Sequence, residues 1–194
     1  MKSIIKRKES IIITTIDLMN EIGMYAVTTK KIAERENVSE AAIFKYFKSK
    51  SELQIAVLDF YAKYDADIVN SIIINKMKTR EAILYYFKMH FTYYNNYKNI
   101  TVISEALYQL RYDKKLVDKA DEIINNRFNF INSLITTAQE NSKISANYDA
   151  TILVNLLLGT TNNICLRWRM ENYKFSLSEK IEEAVKLILN SILL

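Results

Sequence analysis

Proline is absent from this chain of 194 residues, and glycine occurs only at positions 23 and 159. Loops that cradle phosphates need several glycines in close succession so that backbone amides can approach the anion, and two isolated glycines exclude them. Cys165 is the lone cysteine, which excludes an intramolecular disulfide and a multi-cysteine metal site and fits a reducing, cytoplasmic setting. His90 is the lone histidine, so neither a histidine cluster for a metal nor a Ser–His–Asp set with a choice of base can be drawn. No metal, no cofactor and no enzymatic activity are therefore expected. No apolar run approaches the length of a membrane span, and the basic N-terminus lacks the unbroken apolar stretch of a signal segment.

What is present is charge, unevenly placed. The net charge is +5, and residues 1–50 hold ten Lys and Arg against six acids, while the remainder is nearly balanced. A basic end on an almost neutral body is the electrostatic footprint of a nucleic-acid binder. Lys6, Arg7 and Lys8 sit near a helix N-terminus, where the helix dipole disfavours cations, and DNA phosphates nearby would offset that.

Residues 14–58 carry most of the functional signal. Ile12, Thr15, Ile16, Met19 and Ile22 recur at helical spacing, and Gly23 is expected to close that helix in the left-handed conformation. Thr28 or Thr29 caps a second helix that turns Ile32 and Ala33 inward. Asn37 suits a positive φ in the turn, and Val38 plugs the angle between two helices. Ser39 caps a third helix, Glu40 to Tyr46, and Ser49 with Glu52 forms a capping box for a fourth. Two short helices joined by a tight turn are the helix-turn-helix arrangement, whose second helix enters the DNA major groove.

These residues resemble the tetracycline-repressor (TetR) family of bacterial transcription regulators. The matching places are Gly23, Tyr25, Thr28, Thr29, Ile32, Ala33, Val38, Ser39, Ala41, Ile43, Phe44, Tyr46, Phe47, Ser49, Lys50 and Leu53. Family members often carry Thr and Tyr where this chain has Ala42 and Phe44, which removes two hydroxyls suited to phosphates. Backbone contact would then lean on Lys45, Tyr46, Lys48 and Lys50, and base contact on Lys31, Glu40, Ala41, Ala42 and Lys45. Thr28, Thr29, Ser39 and Phe44 complete the expected DNA-binding set, with Phe44 readable either as core or as DNA-facing.

The rest of the chain reads as helix, giving an all-α fold of about nine helices. The expected division is a DNA-binding domain at 1–48 and a helical ligand-binding and dimerisation domain at 49–194. Helix 4 spans Lys50 to Ile74 with Leu53, Ala56, Val57, Phe60, Tyr64 and Ile68 on one face. Thr79 caps a helix reaching Tyr97, Asn99 to Leu110 forms a shorter element, and Asp113 opens a long one to Gln139. Helix 8 spans Asp149 to Glu171, and Ser176 with Glu179 boxes the start of helix 9. In the family the final two helices form a four-helix dimer interface, which here implies Leu153, Leu156, Leu157, Ile164, Ile181, Val185, Ile188 and Ile192, with Gly159 allowing close backbone approach. A dimer would place two recognition helices on a palindromic operator in double-stranded DNA.

The middle of the chain is rich in aromatics, which suit an apolar pocket with a few polar tips. A small apolar or aromatic effector is expected among Phe60, Tyr64, Tyr86, Phe87, His90, Phe91, Tyr108, Phe128 and Trp168, with Glu105 or Arg127 facing a charged group. The expected function is a homodimeric repressor that the effector releases from DNA. A DNA-binding dimer that recruits a protein partner, with those aromatics as plain core, is the alternative.

Overall fold

The computed structural model describes residues 2–110 and 112–192, with the side chains described from Lys6 onward. Among the described residues there are nine α-helices and no strand. They are α1 (Lys2–Ile22), α2 (Thr29–Arg35), α3 (Glu40–Phe44), α4 (Lys50–Ile74), α5 (Thr79–Asn96), α6 (Val102–Leu110), α7 (Val117–Glu140), α8 (Ala150–Met170) and α9 (Leu177–Ile192). Single 3-10 turns occupy Met24–Ala26 and Lys98–Thr101. The chain forms two compact units, one of residues up to Lys63 with Lys98–Ile123, the other of Tyr64–Tyr97 with the residues from Ile124 onward.

In the first unit α1 buries Ile11, Thr15, Ile16, Leu18 and Met19, while Ile22 is exposed because the stripe runs out at the last turn. The amide of Gly23 donates to Met19 O at 3.0 Å, and Gly23 has φ 80° and ψ 150°. The positive φ is what glycine permits, but the extended ψ is not the expected left-handed helical cap. The chain leaves into a 3-10 turn instead. The caps of α2 and α3 are as expected: Thr28 Oγ1 accepts from Lys31 N, and Ser39 Oγ from Ala42 N, both at 3.2 Å. Asn37 takes φ 54° in the turn between them.

Helix α3 ends at Phe44, short of the expected Tyr46, because the amides of Tyr46 and Phe47 both turn back to Ile43 O. Ser49 accepts from Glu52 N at 3.1 Å, while the Glu52 carboxylate accepts from Lys48 N at 2.7 Å, one residue earlier than a standard capping box. Glu36, at the C-terminus of α2, gathers Arg7, Ser10 and Thr14 of α1 around one carboxylate that is 7% exposed. In the same unit Asn99 Nδ2 donates to Asp17 Oδ1 at 2.9 Å and Tyr61 lies 2.7 Å from Ser104, tying the 3-10 turn to α1 and α6 to α4.

In the second unit α5 packs most extensively on α9, and α8 on α9 next. Thr79 is the first residue of α5 and not its cap; extended Lys78 precedes it with no side-chain bond. Helix α7 starts at Val117 rather than Asp113, since Asp113 Oδ1 accepts from Lys115 N at 2.8 Å and holds a turn that competes with helix. Asp149, expected as the first residue of helix 8, is instead its cap: its side chain accepts from Thr151 N at 2.7 Å, and α8 starts at Ala150. The Trp168 indole donates to Phe175 O at 2.8 Å and meets the Tyr173 ring edge-on at 4.6 Å, which fixes the corner between α8 and α9.

Candidate functional site

The exposed face of α2 and α3 is built on a small apolar wedge. Ile32, Ala33, Ile43 and Phe47 are buried, and the four-residue spacing of Ile43 and Phe47 turns the other side of the segment outward. Glu40, Ala41, Phe44 and Lys45 are exposed there, with Ala42 and Tyr46 half-buried and Lys48 and Lys50 exposed beyond. Phe44 is 43% exposed, so of its two readings the core is excluded. Several polar groups on this face are already engaged. Thr28 is a cap, Lys31 Nζ donates to Ala26 O at 3.1 Å, and Thr29 Oγ1 donates to the Glu40 carboxylate. Lys8 Nζ lies 5.6 Å from the Phe47 ring centroid, so a cation from α1 joins the same cluster.

The residues expected around an effector divide between the units. Phe60, Glu105 and Tyr108 belong to the first, and Tyr64, Tyr86, Phe87, His90, Phe91, Phe128 and Trp168 to the second. Tyr108 is 59% exposed and Glu105 is exposed. Within the second unit His90 lies 5.9 Å from Tyr86, 5.2 Å from Phe91 and 4.4 Å from Tyr94, ring centre to ring centre. Phe87 meets Tyr86 edge-on at 5.4 Å, and Phe130 of α7 joins it at 5.3 Å. Tyr64 stacks on Tyr93 at 4.2 Å, Phe128 is half-buried on α7, and Trp168 is committed to the α8–α9 corner.

The group that sequence reasoning missed is Asp65. Its Oδ2 accepts from Arg127 Nε at 2.6 Å and its Oδ1 lies 2.9 Å from His90 Nδ1, joining α4, α7 and α5. Arg127, expected to face an anionic effector group, has Asp65 as its anion. Burial pushes the Asp65 carboxyl up, but the Arg127 charge and its hydrogen bond, together with the His90 ring close by, outweigh it and hold the group at about 2. Burial pushes His90 down, the Arg127 charge adds to that, and Asp65 offsets only part, so the imidazole is neutral at pH 7. A signal for Asp65 exists in the sequence. It falls four residues after Tyr61 and three before Ile68, and the buried stripe of α4 runs through Leu53, Val57, Tyr61, Ile68 and Ile72 rather than through Phe60 and Tyr64. A carboxylate on the buried line of a helix needs a buried partner.

The expected dimer residues need a correction. Leu153, Leu157, Ile181, Val185 and Ile192 are buried in the chain's own core, and Ile164 and Ile188 are half-buried. Leu156 alone of the set is exposed. It lies on a second stripe of α8: Ile152, Leu156, Gly159, Asn163, Leu166 and Met170, all exposed, at alternating steps of four and three. Met170 is 74% exposed, and Leu187 of α9 is 72% exposed. A Cβ on Gly159 would meet nothing within 4 Å, so no helix among the described residues crosses closely there. Sequence periodicity picked the denser stripe, and the denser stripe is intramolecular core.

Comparison with known proteins gives the following. The family described as bacterial regulatory proteins, tetR family, matches residues 11–57, and that described as YsiA-like protein, C-terminal region, matches residues 63–191. The fatty acid metabolism regulator protein of Bacillus subtilis is 21% identical over 188 residues, 94% of this chain and 93% of that one. The structure of the transcriptional regulator FadR from Bacillus subtilis in complex with stearoyl-CoA superposes with a TM-score of 0.81 at 20% identity, covering 95% of this chain and 98% of the other. That of the ketosteroid transcriptional regulator of Mycobacterium tuberculosis gives 0.83 at 14% identity, covering 97% and 95%. Among the described residues no helix is long and apolar enough to cross a membrane.

Proposed function

We propose that this chain, which belongs to the tetR family of bacterial regulatory proteins, is a homodimeric repressor that a small apolar effector releases from a palindromic operator. The observation that carries the DNA-binding half is the exposed face of α3, a capped helix presenting Glu40, Ala41, Phe44 and Lys45 beside Lys48 and Lys50. In this reading residues 1–48 are the DNA-binding domain, and residues 49–194 bind the effector and a second copy. Lys45→Ala and Lys50→Ala should each weaken operator binding, Lys50→Ala about equally for all sequences and with a shallower salt dependence. Binding to host genomic fragments at two salt concentrations checks this. Unchanged affinity in both variants would move the contact surface elsewhere.

For the effector, the match to a fatty acid metabolism regulator and to a complex with stearoyl-CoA, each over nearly the whole chain, supports a long-chain acyl group as the apolar part, carried on a polar thioester such as an acyl-CoA. The aromatic group of α5 and α7 in the second unit supplies apolar surface of the matching kind. Helix α4 starts at Lys50 beside the DNA-facing segment and ends in the unit that holds those aromatics. An effector favouring one setting of α4 would alter the spacing of the two recognition helices, provided that it binds the DNA-incompetent state more tightly. Stearoyl-CoA at a hundredfold its Kd should stabilise the protein by about 2.7 kcal/mol and lower operator affinity roughly 5- to 150-fold. A thermal shift with no change in DNA affinity would remove the switch. No shift with any acyl-CoA would favour the alternative, a DNA-binding dimer that recruits a protein partner.

A further inference from the structure

We propose that Glu40 reads a cytosine in each operator half-site and that Thr29 is the residue that positions it; this rests on the DNA-binding reading above. Glu40 is the first residue of α3, directly after the Ser39 cap, and it is exposed. Residues at that end of a recognition helix reach base edges. The α2–α3 segment and the start of α4 that carry this acid also carry exposed Lys31, Lys45, Lys48 and Lys50, on a surface that has to approach a polyanion. The charge of Glu40 is unfavourable for phosphate contact, and the helix terminus recovers only a small part of that.

The carboxylate is also held. Thr29 Oγ1, on α2, donates to Glu40 Oε1, so the side chain is fixed across the turn before any DNA arrives. Oε2 has no partner among the described residues. Ala41 beside it is exposed and small, so it leaves the groove edge open to the acid. In the major groove a carboxylate can only accept. Guanine offers two acceptors, O6 and N7, and repels it; adenine sets the N7 acceptor beside its N6 amine; cytosine presents the N4 amine with no acceptor of its own alongside. A pre-oriented acceptor on a basic surface is thus matched to cytosine and mismatched to guanine. A purely local role for the Thr29–Glu40 pair would influence all sequences alike.

The test is selection of binding sites by the full-length protein from a random duplex pool at fixed salt, repeated with Glu40→Ala, Glu40→Gln and Thr29→Val. The unaltered protein should enrich a cytosine at one position of each half-site. Glu40→Ala should lose about ten- to a hundredfold of preference at that position and keep the others. Glu40→Gln should move the preference there toward adenine, whose N6 and N7 suit an amide. Thr29→Val should blunt the same position and no other. The same base preferences at every position for the parent and Glu40→Ala would overturn the inference while leaving the DNA-binding reading intact. Failure of the unaltered protein to select any sequence would overturn both.

Discussion

Asp65→Ala should lower the stability of the protein by about 3–5 kcal/mol, the usual cost of stranding one member of a buried ion pair. Arg127 is 14% exposed at its side chain and Asp65 16%, so water cannot replace the lost carboxylate without opening the packing of α4, α5 and α7. In a chain of 194 residues that corresponds to a fall in Tm of roughly 10 °C. The double change Asp65→Leu with Arg127→Met should recover most of the loss, because removing both charges together leaves neither to be solvated. Thermal melts of the three variants at pH 7 decide it. A melt of Asp65→Ala within a degree of the parent would mean that the pair contributes nothing net.

The same node makes stability fall in acid, in two stages of one sign. His90 is depressed below its ordinary 6.5 in the fold, so below about that pH the unfolded chain takes up a proton that the folded one refuses. Asp65 is held at about 2 against the usual 3.8, so its contribution is present above 3.8 and is lost as the pH falls toward 2. The second stage amounts to about 2 kcal/mol. Denaturant midpoints between pH 8 and 2 should decline through both windows, and His90→Asn should remove the first.

What could be read from the sequence follows the distance over which each feature is settled. The Thr28 and Ser39 caps and the positive φ of Asn37 are each decided within a few residues, and residue type alone points to them. Even there the last residue of detail depends on context, as the Glu52 carboxylate bonding to Lys48 N shows. Glu36 could not be assigned a partner, because Ser10 and Thr14 lie 26 and 22 positions away and meet it only when α1 and α2 pack. Asp65, His90 and Arg127 come from three helices and share no local signature. The aromatics of the middle segment form one pool in the sequence, yet Tyr108 belongs to the first unit and Tyr86 to the second, a division that composition cannot express.

The choice between the two apolar stripes of α8 leads to the last expected result. Leu156→Glu combined with Leu166→Glu should convert a dimer into a monomer of 22.7 kDa with its helices intact, whereas Leu157→Ala should destabilise the fold by about 2–5 kcal/mol without altering the mass. The difference is burial. Leu157 is wholly enclosed by its own chain, while Leu156 and Leu166 are 48% and 44% exposed on a stripe that continues through Ile152 and Met170. A run of steps of four and three is the spacing at which two helices pack along their length. Gly159, where an added Cβ would meet nothing within 4 Å among the described residues, would let a second backbone come close at the middle of that run. Four exposed large apolar side chains, Ile152, Leu156, Leu166 and Met170, on one face of α8 mark a surface suited to a protein partner. Separating the protomers turns a two-point grip on a palindrome into a single half-site contact, so operator affinity should drop by about a hundredfold or more. Light scattering and operator binding on the same samples test both steps. A double variant that stays dimeric would place the interface on another face, and a monomer that keeps full operator affinity would mean that one recognition helix is enough.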